Sequence, residues 1–321
     1  ELPDAWDAEI PQFEADEKGL ATRVSSGKVL NGLAKKIPWF LGGSADLAPS
    51  TMTHLAEDGD FEPGSYGNRN FHFGIREHGM AAASNGMALG GLLPYAGTFF
   101  VFSDYMRPSV RLSALMKLPV IYVFTHDSIG LGEDGPTHQP VEQAMSLRAI
   151  PSFNVYRPAD AKETASCIKL ALKDKNTPSA LLLTRQGVPV LEKDQKQIDA
   201  YVSKGAYTVF EGDGLPEIVI LATGSEVSLA IEVAKKLNNK RVRVVSMPCW
   251  ELYEQQSDDY KAELIPIRGN LKVSIEAGIT HGWEKYIGNN GISIGLNHFG
   301  SSAPASDLAE EFGFTPEKVI E

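Results

Sequence analysis

Apolar positions along the chain fall into two rhythms that take turns. Short unbroken runs at 119–124 (PVIYVF), 180–184 (ALLLT), 218–222 (IVILA) and 242–246 (VRVVS) have the length and aliphatic content of strands buried on both faces. Segments 39–41, 153–156, 206–210, 271–275 and 292–296 extend that series of strands. Between them lie stretches with helical spacing. The clearest are 226–237 and 160–173, the latter with Asp160 as N-cap candidate and Glu163 completing a box-like pattern. Residues 21–33 are compatible with a helix, and 78–89 is a helix rich in Ala, Met and Gly. Aromatic and aliphatic residues recur at helical spacing over 99–116, and 140–149 reads as a helix opened by Pro140.

Strand and helix alternating in this way predict an α/β fold with mostly parallel sheets covered on both faces. The expected architecture is two three-layer α/β/α domains, the second smaller. Residues 1–20, acidic and without apolar period, read as a lead-in, and 21–187 as the first domain. Residues 188–203 read as a linker and 204–321 as the second domain. The acidic, turn-rich stretch 51–70 reads as a surface loop.

Composition supports this size and narrows the partners. With 321 residues, 43% of them hydrophobic, the chain can bury two cores. A net charge of −11 argues against nucleic-acid and anionic-membrane partners. It leaves room for a local basic pocket that takes a phosphorylated metabolite. Cys167 and Cys249 are far apart and lack any ligand spacing, so neither a disulfide framework nor a zinc site is expected, and a reducing, cytoplasmic compartment is. The most apolar long window, 86–102, is broken by Gly90, Gly91, Pro94 and Gly97 and is too short to span a membrane. No signal-peptide pattern is present. The start at Glu1 and a final helix of one to two turns suggest a piece of a longer protein.

The stretch 125–140, THDSIGLGEDGPTHQP, departs from this background. It crowds glycines, histidines, acids and prolines behind a buried strand, where open α/β sheets place their ligands. No core requires such a mixture, because each buried His or carboxylate needs its own partner. His126 and His138 lack helical spacing, which disfavours a metal pair. Gly224-Ser225 opens the helix at 226 and could offer backbone N–H groups to an anion, although a tight turn and cap is the plainer reading. Gly212-Asp213-Gly214 followed by Asn238-Asn239 imitates a metal–diphosphate signature, but it sits between two strands and reads as a turn.

The loop THDSIGLGEDGPTHQPVEQ resembles the corresponding loop of transketolases, the thiamine-diphosphate enzymes that move two-carbon ketol units between sugar phosphates. LGGSADLAPS at 41–50, FGIREHGM at 73–80 and PYAGTFFVFSDYMRPSVRLSAL at 94–115 resemble the family in the same order, as do YRPAD at 156–160 and LTRQ at 183–186. The likeness runs from about residue 20 to the end and covers the pyrimidine-binding and C-terminal domains. The family's first domain, which holds the diphosphate and Mg2+, has no counterpart here, so no metal ligands are expected in this chain.

The resemblance implies roles residue by residue. Glu77 would hydrogen-bond the aminopyrimidine ring and promote its imino form, a task suited to a carboxyl group in an apolar site. From the residues alone, Arg76-Glu77-His78 also reads as a surface charge cluster or as a helix N-terminal charge. Phe99, Phe102 and Tyr105, spaced by three on one helix face, would wall the aminopyrimidine, although such a stripe is usually core. Asp46 and Leu47 would line the same cofactor. Arg23, Ser50, His126 and Arg185 would take the sugar's terminal phosphate. Asp134 and His138 would contact its hydroxyls, with His138 also able to move a proton near neutral pH. His281 reads as structural.

By the same resemblance the complete enzyme is a homodimer, with the helices after Glu77 and Phe99 near the subunit interface and the C-terminal domain supplying dimer contacts but no essential chemistry. Alone, the chain is expected to be inactive or unable to hold cofactor. The alternatives are the C-terminal subunit of a split transketolase, a related thiamine enzyme such as deoxyxylulose-phosphate synthase or an oxo-acid dehydrogenase β subunit, and a non-catalytic dimerisation module.

Overall fold

A computed structural model describes every residue except Asn239, so that half of the Asn238-Asn239 pair lies outside the described residues. The first half of the chain runs β1 (Asp16–Ala21), α1 (Thr22–Lys36), β2 (Phe40–Ser44), α2 (Ala48–Thr51), β3 (Asn70–His72), α3 (Glu77–Leu89), β4 (Leu93–Phe99), α4 (Ser103–Leu115), β5 (Ile121–Thr125), α5 (Gln143–Arg148), β6 (Asn154–Tyr156), α6 (Ala161–Lys173), β7 (Ser179–Leu183) and β8 (Gly187–Val190). Six strands form one sheet in the order β3-β2-β4-β5-β7-β6, and every pairing in it is parallel. Because successive strand side chains face opposite ways, Ile121, Val123, Leu181 and Leu183 pack under α1 and α6. Tyr122, Phe124, Ala180 and Leu182 pack against α3 and α4.

The second half runs α7 (Gln195–Val202), β9 (Tyr207–Glu211), β10 (Ile218–Ala222), α8 (Glu226–Lys236), β11 (Val242–Ser246), α9 (Trp250–Glu254), α10 (Asp258–Leu264), β12 (Leu271–Ile275), α11 (Glu284–Ile287), β13 (Ile292–Ile294), α12 (Ala305–Glu311) and α13 (Pro316–Ile320). Its sheet has the order β13-β12-β10-β11-β9, parallel except for β9. Two apolar clusters again cover its faces. The expected pair of three-layer α/β/α units is therefore present.

Several expectations need revision. Asp16–Ala21, within the predicted lead-in, is a strand paired antiparallel with β8. Gln195–Val202, within the predicted linker, is a helix whose Ile198 and Val202 enter the first core. The low apolar content of these segments hides them, since β1 buries no side chain fully and α7 buries only Ile198 and Val202. The helical reading of 99–116 starts too early, because Phe99 ends β4 and Phe100–Phe102 forms a 3₁₀ turn before α4. Pro140 precedes α5 by three residues rather than opening it. Asp160 does cap α6, accepting from Glu163 N at 2.8 Å, while Glu163 reaches back to Ala159 N at 2.7 Å. Gly212–Gly214 lies in the turn between β9 and β10, with Gly214 at φ 81°. Gly224 is also a tight turn, and Ser225 Oγ there donates to Glu226.

Buried polar contacts join the halves. Glu163 accepts from Tyr207 Oη at 2.8 Å and Ser246 Oγ at 2.7 Å. Burial, with Asp160 alongside, pushes its carboxyl up to about 7. Arg148 clasps Glu276 through both terminal nitrogens, at 2.8 and 2.7 Å.

Candidate active site

All strands of the first sheet point the same way, so their carboxyl ends share one edge, and the crevice outside that edge is where such sheets bind ligands. The candidate residues arise from that edge. Asp46, Leu47 and Ser50 follow β2, Glu77 follows β3, Phe99 and Phe102 end and follow β4, His126 follows β5, and Arg185 follows β7. Arg23 joins them because α1 begins beside β7: Thr22 N donates to Thr184 Oγ1 at 3.0 Å, and Thr184 N to Thr22 Oγ1 at 2.7 Å.

Close backbone approach shapes the β2 end. A Cβ on Gly43 would fall 1.8 Å from the Phe71 carbonyl oxygen, so the small residues of the GGS run allow β3 to lie against β2. Asp46 and His126 both adopt left-handed backbone, at φ 65° and 61°. Non-glycine residues seldom do so, and such strain concentrates at functional positions.

Glu77 is the first residue of α3 and only 6% exposed. Its neighbours do not satisfy it. Arg76 donates to the Phe73 carbonyl at 3.1 Å, and His78 pairs with Ser109 Oγ at 3.1 Å. Of the readings open to this trio, a surface charge cluster does not fit a carboxylate so buried. What remains is a largely buried acid on the first residue of a helix.

The aromatic residues form a ladder rather than a helix stripe. Phe99 stacks on Phe102 with centroids 5.9 Å apart, and Phe102 lies 5.9 Å from Tyr105. His126 lies 3.8 Å from Phe99, and His138 meets Phe102 edge-on at 5.6 Å. Tyr105 is 66% exposed, so one end of the ladder is open.

Next to the aromatics lies a cationic hollow. Arg23 donates to the Ser50 carbonyl at 2.6 Å, while its Nε is buried without a partner. Burial and then the Arg185 guanidinium push Arg23 below its ordinary value. Burial, then Arg23, Arg185 and His138, push His126 down to about 3. The groups that perturb these two residues include no carboxylate, which leaves a site electrostatically fit for an anion. Ser50 joins through its carbonyl, and Leu47 is half-buried beside it. Asp46 and Asp134 are exposed. Asp134 lies within the 125–140 loop, where Ser302 Oγ donates to the neighbouring Glu133 carbonyl at 2.5 Å. His281 is exposed on the second domain, 3.9 Å from Glu284.

The family model "Transketolase, pyrimidine binding domain" matches residues 18–190, and "Transketolase-like TK C-terminal domain" matches 205–315. The chain belongs to the transketolase family. It is similar to the transketolase of Bacillus subtilis (strain 168), with 52% identity over 100% of this chain and 48% of that protein. The structure of a Pichia stipitis transketolase in complex with sedoheptulose-7-phosphate superposes with a TM-score of 0.92 at 41% identity, over 99% of this chain and 47% of that one. A split gene transketolase, described as an inactive beta4 tetramer, matches with a TM-score of 0.76 at 26% identity, over 94% of this chain and 96% of that one. The chain thus spans about half the length of the curated transketolases it matches.

Sequence reasoning passed over Asp127 and Arg157, although both lie inside motifs that resemble the family. Arg157 is 2% exposed and pairs with Asp127 at 3.0 Å. The signal that could have found them is an Arg on the residue after a buried strand and an Asp beside a site histidine.

Proposed function

We propose that this chain supplies the aminopyrimidine-binding and sugar-phosphate-binding sides of a transketolase site, which transfers a two-carbon ketol unit from a ketose phosphate to an aldose phosphate. The observation that carries this reading is the meeting, on one sheet edge, of a largely buried carboxylate, an aromatic ladder and cations without counter-charge. When bound, thiamine diphosphate supplies the carbanion-stabilising chemistry. The carboxylate of Glu77 is free to accept a hydrogen bond from a protonated ring nitrogen. Phe99 and Phe102 present flat faces that orient a heteroaromatic ring and exclude water, and Tyr105, Asp46 and Leu47 extend that wall. Arg23, Arg185, His126 and Ser50 receive the phosphate end of the sugar. His138, between the aromatics and the loop, holds a sugar hydroxyl and can move its proton, with Asp134 joining it from the same loop.

No group of three or more His, Cys, Asp or Glu arranged to hold a metal occurs among the described residues. By the family likeness, Mg2+ and the diphosphate would be held by an N-terminal domain or subunit. Leu89, Tyr105, Leu112, Leu115 and Met116 are exposed along α3 and α4, which supports this face as the dimer contact. Both cysteines are buried and unpaired. No helix among the described residues is long and apolar enough to cross a membrane.

A second reading, the C-terminal subunit of a two-chain transketolase, draws support from the nearly equal extent of this chain and the split-gene protein. One experiment tests both. The chain is assayed with thiamine diphosphate, Mg2+, xylulose 5-phosphate and ribose 5-phosphate, alone and with the N-terminal half covalently joined or added separately. Turnover is expected only with that half, and rescue by the separate half favours the two-chain form. Glu77→Ala should then lower kcat by about 10²–10⁴-fold. Turnover by the chain alone, or near-normal turnover of the variant, overturns the assignment.

A further inference from the structure

His126 holds a left-handed backbone, which a histidine keeps only where its flanks are fixed. On one side, Thr125 ends β5 in the sheet. On the other, Asp127 is buried and tied through one carboxylate oxygen to the junction with the second domain. Its Oδ2 accepts from Arg157 Nε at 3.0 Å. Arg157 is in turn clamped from that domain, donating to Thr223 O at 3.1 Å, to Thr223 Oγ1 at 2.9 Å and to Glu226. Its backbone N donates to Pro248 O at 2.8 Å, and its carbonyl accepts from Gly224 N at 3.0 Å. Glu226 is fixed by Ala277 N at 2.9 Å and Ser225 Oγ at 2.7 Å.

We infer that Arg157 and Glu226 are positioning residues, through which the second domain holds His126 in the anion-binding arrangement and thereby sets affinity for the phosphate end of the sugar. The inference rests on the assignment of the cationic hollow to phosphate. Neither residue is placed in that hollow; both act through Asp127. If the clamp is loosened, Asp127 loses its fixed partner and the residue before it can relax toward an ordinary backbone basin. The His126 ring then leaves its place 3.8 Å from Phe99 and beside Arg23 and Arg185. The aromatic ladder arises from the end of β4, the turn after it and α4, and Glu77 from α3; none of these carries a clamp residue, so handling of the two-carbon unit should persist.

The test uses the enzyme assembled with its N-terminal half, and compares a ketose phosphate donor with the unphosphorylated ketose of the same skeleton. Glu226→Gln should raise KM for the phosphorylated donor about tenfold, within the loss of up to about a hundredfold that a misplacement of roughly 1 Å brings. Its kcat, and KM for the unphosphorylated donor, should stay within about twofold of wild type. Glu226→Asp, which keeps the charge and shortens the reach, should show the same selective effect in smaller degree, and it carries the test if the glutamine variant does not fold. Equal KM values for wild type and both variants, or a parallel loss with both donors, would overturn the inference. Arg185→Ala reports on the underlying assignment. If it leaves both donors unaffected, the phosphate reading falls and the inference with it; a selective loss there without one at Glu226 sinks the inference alone.

Discussion

The ion pair Arg148–Glu276 joins α5 of the first domain to the end of β12 in the second, and its cost of removal can be worked out in two ways. Glu276 is 3% exposed and accepts from both terminal nitrogens of Arg148, from Thr223 Oγ1 at 2.5 Å and from Trp283 Nε1 at 3.1 Å. Burial alone would raise its carboxyl. Arg148, then Arg157 and Thr223, outweigh that and hold it at about 2, against 4.5 for an ordinary Glu. At about 1.36 kcal/mol per unit, the difference corresponds to stability on the order of 3 kcal/mol at neutral pH. Since the folded value is the lower one, this stability is fully present above about pH 5 and is lost as pH falls from 4.5 towards 2.

Glu276→Gln preserves shape but leaves Arg148, 4% exposed, without its counter-charge. Breaking a buried pair in this way costs about 3–5 kcal/mol, so the two figures agree. Denaturant melts of wild type and variant between pH 2.5 and 7 should differ by about 3 kcal/mol at pH 7 and converge near pH 2. Replacing both partners by Met and Leu should recover part of the loss, because the desolvation cost disappears with the charges while Thr223 Oγ1 and Trp283 Nε1 lose their acceptor. A difference under about 1 kcal/mol at pH 7, or one independent of pH, would refute the reasoning.

Two further outcomes follow from the site. His126, held down near 3 by burial and by two guanidiniums, should stay neutral through the physiological range in the free chain. Acidification from about 6.5 to 3 then costs stability, because the unfolded histidine takes up a proton that the folded one refuses. Inorganic phosphate should raise its midpoint, read from the imidazole C–H resonances, by offsetting Arg23 and Arg185; an ordinary midpoint without phosphate, or none of the expected rise with it, contradicts the cationic hollow. Gly43→Ala forces a methyl into the Phe71 carbonyl. It should destabilise the chain by about 1–3 kcal/mol and speed hydrogen exchange in β3 ahead of β5. A melting temperature equal to wild type would show that the β2–β3 contact can open freely.

The fold was legible wherever burial was two-sided. Segments such as 119–124 and 218–222 must be apolar throughout, so periodicity alone located β5 and β10. Strands β1 and β8 escaped because they form a two-stranded ribbon with few buried side chains, and α7 because only Ile198 and Val202 reach the core. The meeting of Arg23 with Arg185 and of Phe99 with His126 was accessible only through family resemblance. No local pattern records which strand ends are neighbours, and the order β3-β2-β4-β5-β7-β6 is fixed by long-range packing. The Asp127–Arg157–Glu226 clamp was hidden for the same reason, since its members come from three separate segments and two domains.

The cores themselves ignore the border between the two matched family regions. Val202, Tyr207 and Cys249 pack into the first domain's cluster, while Ile129, Val141 and Ala159 pack into the second's. A cut near residue 200 would therefore not release a pair of finished pieces. It would leave each with a raw apolar wound and with the stranded charges Arg148 or Glu276. Recombination between relatives should tolerate exchanging both regions together far better than exchanging either alone.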